Sequence, residues 1–252
     1  MIRRFFPRLF GARPEEDRVL AHFPFQIVET SGSNAMARWE ELKRAGRGVP
    51  VIVGNALPDV LQTFDPEAHL ELSLRPVEEI LAAARAIRFP EDLLRMRRAE
   101  EGDLSDEEKE ELRPEEGDWP EEAPESPGLS VAYDLSTNQP YSRVHIVVVP
   151  TDDPTTIPAY LRWGGFNACP NPEYHVAALR HWRDRYGAEL VGLDMATLNV
   201  RVARKPATRE EALELARVQY DYCNDIVEQG VETISALGAS LMADDWWYFW
   251  WD

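Results

Sequence analysis

Short apolar runs alternate with helical periods in the first half of the chain. The runs FPFQIVET (residues 23–30) and VPVIVG (49–54) have the composition and length of strands. Between them, SNAMARWEELKRAG (33–46) has helical spacing and ends in a glycine, and RPVEEILAAARAIRF (75–89) is a second amphipathic helix. The alternation predicts an N-terminal α/β region over residues 15–98.

The second half opens with a long apolar run. RVHIVVVP (143–150) is apolar on both alternating sets of positions, which is typical of a central strand covered on both faces. A short helix should follow and close at Gly164 or Gly165. Asn171 and Pro172 then provide a good cap and a good first residue for a longer helix.

Two further strands, AELVGL and TLNVRVA, are separated by so few residues that a hairpin around Asp194 and Met195 is the simplest connection. In the second of these strands, Asn199 and Arg201 alternate with apolar residues. This alternation predicts a strand that is solvated on one face.

The run WWYFWW near the carboxyl end (residues 246–251) is the most hydrophobic stretch of the chain. Six aromatic side chains carry on the order of 1,000 Å² of surface, far more than a monomer usually exposes in one patch. We therefore expect a strand in the interior of the sheet, with helices on both sides. Together with the preceding elements, it predicts an α+β fold: a mixed sheet with helices packed on it, formed largely by a C-terminal domain at residues 129–252.

A strongly acidic stretch lies between the two halves of the chain. The 252-residue chain has a formal net charge of −18, and residues 91–125 contain 16 acidic against 5 basic residues. Because residues 99–128 are also rich in proline and lack an apolar period, they are predicted to be a disordered acidic insertion, a flexible linker in which only Trp119 is a candidate for docking. The alternative is that this acidic stretch mimics a nucleic acid and occupies the groove of a basic partner. Binding to nucleic acid itself is not expected from so acidic a chain.

The first 14 residues have the opposite bias. In MIRRFFPRLFGARP, apolar residues recur at helical spacing between arginines, so this arm is expected either to make weak contact with a membrane surface or to lay its phenylalanines on the domain. No window is long and apolar enough for an integral membrane segment. With two cysteines and no secretory signal, the expected location is cytoplasmic.

The most reactive-looking stretch is WGGFNACPNPEYH. Cys169 lies just ahead of the predicted helix start, where the helix dipole would favour a thiolate, and His175 lies one turn inside that helix. Asp194 is a conceivable orienting acid, so a Cys-His-Asp catalytic set can be drawn. A buried structural cysteine and a histidine bonded within the core explain the same residues. Neither a cofactor nor a metal site is predicted, because the cysteines and histidines lack paired short spacings.

The same turn is a candidate wall for a ligand pocket, because it combines glycines, aromatic residues and a helix N-terminus. One face of the aromatic C-terminal strand could add a stacking surface. The candidate ligand- or partner-binding residues are Trp163, Gly164, Gly165, Phe166, Asn167, Tyr174, Trp247 and Trp250.

The segments YLRWGGFNACPNPEYH, ARKPATREEALELARVQYDYCNDIV and WWYFWWD occur in an order that resembles the bacterial family known as domain of unknown function 4253. The resemblance covers about residues 144–252 and implies a mixed α/β domain without an established activity. By analogy it also suggests an immunity or partner-binding role.

The absence of a complete catalytic set and the strongly negative field favour a cytosolic binding protein, in one version an immunity-type inhibitor, that docks an acidic surface on a basic protein partner. The alternative is a Cys-His hydrolase or transferase that acts on a small molecule in a pocket near the WGGFNACP turn.

Overall fold

A computed structural model describes residues 19–68, 70–100, 102, 105 and 113–252. The basic and aromatic arm expected at residues 1–14 lies outside these residues, as does most of the stretch between residues 101 and 112.

The elements bounded within the described residues are eight strands, eight α-helices, five short 3₁₀ turns and one π-helical turn, Ile226–Val231; residues 19–22 are also helical. The strands are β1 (Gln26–Thr30), β2 (Val49–Ile52), β3 (Tyr133–Asp134), β4 (Gln139–Pro140), β5 (Val144–Val149), β6 (Glu189–Leu193), β7 (Thr197–Arg201) and β8 (Trp246–Trp250). The helices are α1 (Ala35–Ala45), α2 (Leu57–Val60), α3 (Val77–Ala86), α4 (Glu91–Glu100), α5 (Ile157–Leu161), α6 (Pro172–Tyr186), α7 (Arg209–Tyr222) and α8 (Ile234–Ala243).

Six of the strands form one mixed sheet in the order β1-β5-β2-β6-β7-β8. Strands β2 and β6 pair in parallel, and the other neighbours pair antiparallel. The predicted α+β class, a mixed sheet with helices packed on it, is therefore confirmed. Because β5 lies between β1 and β2, the two halves of the chain interleave in a single sheet, which the sequence had left open.

Each face of the sheet has its own hydrophobic cover. On one face, Trp39 of α1 packs with Ile52 and Ile146, and its indole N–H donates to the Pro50 carbonyl at 2.8 Å. On the other face, the long helices α6 and α7 bury most of the core, including Trp182 and Tyr222. With a cover on both sides, all six residues of β5 are buried, as the apolar residues on both of its alternating sets of positions predict.

The aromatic run is strand β8 and lies within the sheet, as predicted, at the end of the strand order rather than between two other strands. It pairs with β7 and is the last strand in the order. Its side chains alternate in burial. Trp247, Phe249 and Trp251 point into the core, and the residues between them are half-buried. On its outer side, the Cys223 Sγ–H donates to the Trp250 carbonyl at 2.9 Å and covers part of the exposed edge.

Two local predictions are wrong. Helix α5 ends at Leu161 and is capped by Arg162, whose φ of 51° is left-handed, so it closes before Gly164 and Gly165. Asn199 of β7 was expected on a wet face but is fully buried. Its side-chain amide is paired there, since its Oδ1 accepts from the Val131 N–H at 3.1 Å and its Nδ2 donates to Ser130 Oγ at 2.9 Å.

The second part of the acidic insertion is held against the fold, where a flexible linker was predicted. Residues 113–128, which we call the acidic strap, run past the start of α8 and accept backbone hydrogen bonds from Ile234 and Ser235 through the carbonyls of Glu115 and Glu116. Trp119 docks as expected, with the Arg209 guanidinium 4.7 Å above its ring. The hydrogen bonds explain the difference, because the first N–H groups of a helix need acceptors that the helix cannot supply.

Candidate functional site

Three polar side chains from separate elements meet in the core beside the WGGF turn. The structure places Cys169 Sγ 3.3 Å from Nε2 of His175, and the other ring nitrogen, Nδ1, contacts the hydroxyl of Tyr222. The rings of Trp163 and Trp251 lie 4.8 and 5.6 Å from the imidazole ring. Both nitrogens of His175 are therefore occupied inside an aromatic cage.

Burial sets the protonation of this cluster. His175 is 0% exposed and Cys169 is 4% exposed. Removal from water lowers the pKa of His175 to about 3 and raises the pKa of Cys169 well above its ordinary value. The thiolate expected from the helix dipole is therefore not favoured: burial outweighs the dipole, and the pair is a neutral thiol next to a neutral imidazole.

Asp194 does not complete a catalytic triad. Its carboxylate accepts from the Ala196 N–H at 3.1 Å in the β6-β7 turn, and its carbonyl accepts from the Trp163 indole at 2.7 Å. The position expected for an orienting acid, beside Nδ1 of His175, is taken by Tyr222. No sequence motif singles out Tyr222 as a site residue. Its one signal is its position on the buried face of α7, one turn after Gln219.

The glycines of the turn allow its close approach to α6. Gly164 has a φ of 115°, and a Cβ atom at this position would lie 2.7 Å from His175 Nε2 and 2.4 Å from the Pro170 carbonyl oxygen. A side chain there would collide with both. Asn167, one of the candidate binding residues, donates from Nδ2 to the backbone oxygen of Asp252 at 2.6 Å. The turn thus anchors the segment that follows β8.

The predicted binding residues separate into three groups. Trp163, Gly164, Gly165 and Phe166 line a cleft of about 330 Å³ together with Arg75, Arg162 and Asn171. Trp247 is 2% exposed and packs against Trp182 and Tyr186 in the core, so it offers no surface to a ligand. Tyr174 and Trp250 are half-buried and lie outside that cleft.

The family assignment rests on the segment that carries this turn. Residues 145–252 match the family model named domain of unknown function, DUF4253. The C-terminal part of the chain is a DUF4253 domain. A search of the curated proteins and a search of the solved structures found no match.

The DUF4253 domain contributes β5 to β8 and the cluster of Cys169, His175 and Tyr222. The cleft has a second wall upstream of the domain, from Asp59 to Arg75. Within the residues that the structure describes, no group of three histidine, cysteine or acidic side chains is placed to hold a metal ion. No described helix has the length and apolarity needed to cross a membrane.

A thiol titration separates a buried cysteine in the DUF4253 domain from a catalytic one. We expect Cys169 in a Cys223→Ser chain to react with Ellman's reagent far more slowly than free cysteine, and to react fully once the chain is unfolded, because the folded thiol is buried and protonated. Reaction of the folded chain at the rate of free cysteine would restore the case for a nucleophile.

The buried imidazole also makes stability depend on pH. The unfolded chain takes up a proton on His175 below pH 6.5, whereas the folded chain does so only near pH 3. Stability therefore falls as the pH decreases through this window, by up to about 1.4 kcal/mol per pH unit from this group. Urea unfolding between about pH 7 and pH 5 should show a steeper fall for the wild type than for His175→Gln. Parallel slopes would mean that His175 takes up its proton at the same pH in the folded and in the unfolded chain.

Proposed function

We propose that this chain is a binding protein that docks an acidic surface on a basic protein partner. The acidic strap is the observation that carries the proposal. Its six carboxylates are all exposed to solvent, and it contains one basic residue, Arg113. The exposed carboxylates belong to Glu115, Glu116, Asp118, Glu121, Glu122 and Glu125.

Attachment to the fold makes these charges a fixed surface. Besides its two backbone hydrogen bonds, the strap accepts a hydrogen bond at the Gly117 carbonyl from the Ser235 hydroxyl at 2.9 Å. Glu116 pairs with Arg217 of α7, and Trp119 lies under Arg209. A surface that is already ordered loses less conformational entropy on binding than a flexible tail, which favours affinity.

Electrostatics indicates the kind of partner. A net charge of −18 repels other acidic molecules and attracts a cationic surface from a distance. The exposed carboxylates interact with a partner through water, so their attraction is screened within about 8 Å at physiological salt. The proposal therefore implies fast, salt-sensitive association.

The alternative, a Cys-His hydrolase or transferase, rests on the 3.3 Å contact between Cys169 and His175. It has less support, because both side chains are buried, neither lines the cleft, and the thiol is held in its protonated form.

Two charge-matched variants test the docking surface. The strap variant carries Glu121→Gln, Glu122→Gln and Glu125→Gln, and the control variant carries Glu40→Gln, Glu41→Gln and Asp152→Asn on exposed positions elsewhere. Each chain is used as bait at about 50 mM and about 500 mM salt. We expect a partner that the wild type and the control capture at low salt, that high salt releases, and that the strap variant captures at least about tenfold less.

A partner retained equally by the strap variant, or equally at both salt concentrations, would contradict the proposal. An immunity-type inhibitor is a narrower version of the same function. A toxin gene next to the gene for this chain would support that version, and a metabolic operon would count against it.

A further inference from the structure

A second cavity adjoins the cleft at the WGGF turn. It measures about 760 Å³, within the range of small-molecule sites, and shares Thr63, Leu70 and Arg162 with the cleft. Its walls include the half-buried rings of Phe25, Phe64 and Tyr160, and Phe25 contacts each of the other two edge to face. Arg162 therefore stands where the two cavities meet.

The backbone of Arg162 is unusual. Its φ of 51° lies in the left-handed region, which is strained for a residue that carries a side chain. The same conformation ends α5 and lets the Arg162 N–H donate to the Ala159 carbonyl at 3.2 Å. The side chain is then held between the two cavities by its Nε–H, which donates to the Arg75 carbonyl at 3.0 Å, and by the Phe64 ring 5.2 Å below the guanidinium.

The guanidinium of Arg162 has no ion pair within the part of the chain that the structure describes. Arg75, on the facing wall, is held by Glu173 at 2.9 Å and by Glu79 at 3.6 Å. Arg162 is half-buried, and its removal from water lowers its pKa while the more distant Glu78 partly offsets that effect. The Nη1 and Nη2 groups of Arg162 make no hydrogen bond to the described residues. A partly desolvated guanidinium is a strong binding position for a planar oxyanion, because it can donate two parallel hydrogen bonds to it.

We propose that this double cavity binds a small aromatic carboxylate, with the carboxylate on Arg162 and the ring against Phe25, Phe64 and Tyr160. A single negative charge is the best match, because Asp65 and Glu78 also line the larger cavity and oppose a second one. This site does not depend on the acidic strap, which lies elsewhere on the fold.

The test compares two probes of equal shape, a naphthalene carboxylate and the corresponding neutral carboxamide, by ligand-observed NMR titration of the full chain. We expect the wild type to bind the carboxylate at least about tenfold more tightly than the carboxamide. Arg162→Gln should abolish that preference, and Arg85→Gln, which removes an exposed arginine of α3 outside both cavities, should retain it.

Equal affinity for the two probes, or no binding of either, would overturn the proposal, and neither outcome requires a variant to fold. Persistence of the preference in a folded Arg162→Gln chain would overturn the assignment of the carboxylate to Arg162.

Discussion

Replacing Trp247 by alanine should destabilise the chain by about 3–5 kcal/mol, a large share of the stability of an ordinary domain. Trp247 is 2% exposed and lies edge to face with Trp182 and Tyr186 at 5.7 and 5.4 Å. Its removal leaves a cavity at the centre of the aromatic core, which the flanking strand and helix cannot close. The loss should be measured by urea unfolding.

Two matched substitutions separate this cavity from other effects. Trp246→Ala, on the half-exposed face of β8, should cost only about 1 kcal/mol, because less surface leaves the core. Trp247→Phe should lose less stability than Trp247→Ala, because an aromatic ring still fills part of the space. The indole N–H that is removed has no acceptor among the described residues. Equal losses for Trp246→Ala and Trp247→Ala would mean that the two faces of β8 are not covered as described.

Local patterns predicted the elements well, because their causes are local. The glycine that ends α1, the proline that begins α6 and the buried strand β5 are encoded within a few residues each. Strand order is different, because it depends on pairings between residues far apart in the chain. The alternation in β8 is compatible with an interior or an edge strand, and only the pairing with β7 decides between them.

The candidate site divides in the same way. The spacing of Cys169 and His175 across a helix start was sufficient to suggest their contact. The partner on the other side of the imidazole, Tyr222, is 47 positions away, and its approach depends on how α7 packs on α6. Burial reversed the chemistry expected of Cys169, since a helix start favours a thiolate only where water or a cation accompanies it.

Arg162 had no sequence signal of its own. Its role follows from a left-handed backbone conformation that glycine would be expected to adopt, and from a wall of the cleft that an upstream segment supplies. The composition of the acidic strap does not predict that it docks on the fold. Its hydrogen bonds use main-chain carbonyls, and the residues that carry them are of types that indicate disorder.

The central structural claim is that the two halves of the chain make one sheet. Both neighbours of β5 come from upstream of the DUF4253 domain, and β2 separates β5 from β6. A fragment of residues 145–252 therefore has no partner for β5 on either side. It also lacks Ile80 and Ala84 of α3, which pack against Val176 of α6.

The direct test is thermal unfolding, followed by circular dichroism, of the fragment 145–252 beside a chain of residues 19–252. We expect the longer chain to unfold in one cooperative transition and the fragment to show none, with recovery of the transition when residues 19–144 are co-expressed as a separate chain. A cooperative transition in the isolated fragment would contradict the account, because the DUF4253 segment would then complete its own sheet without β1 and β2.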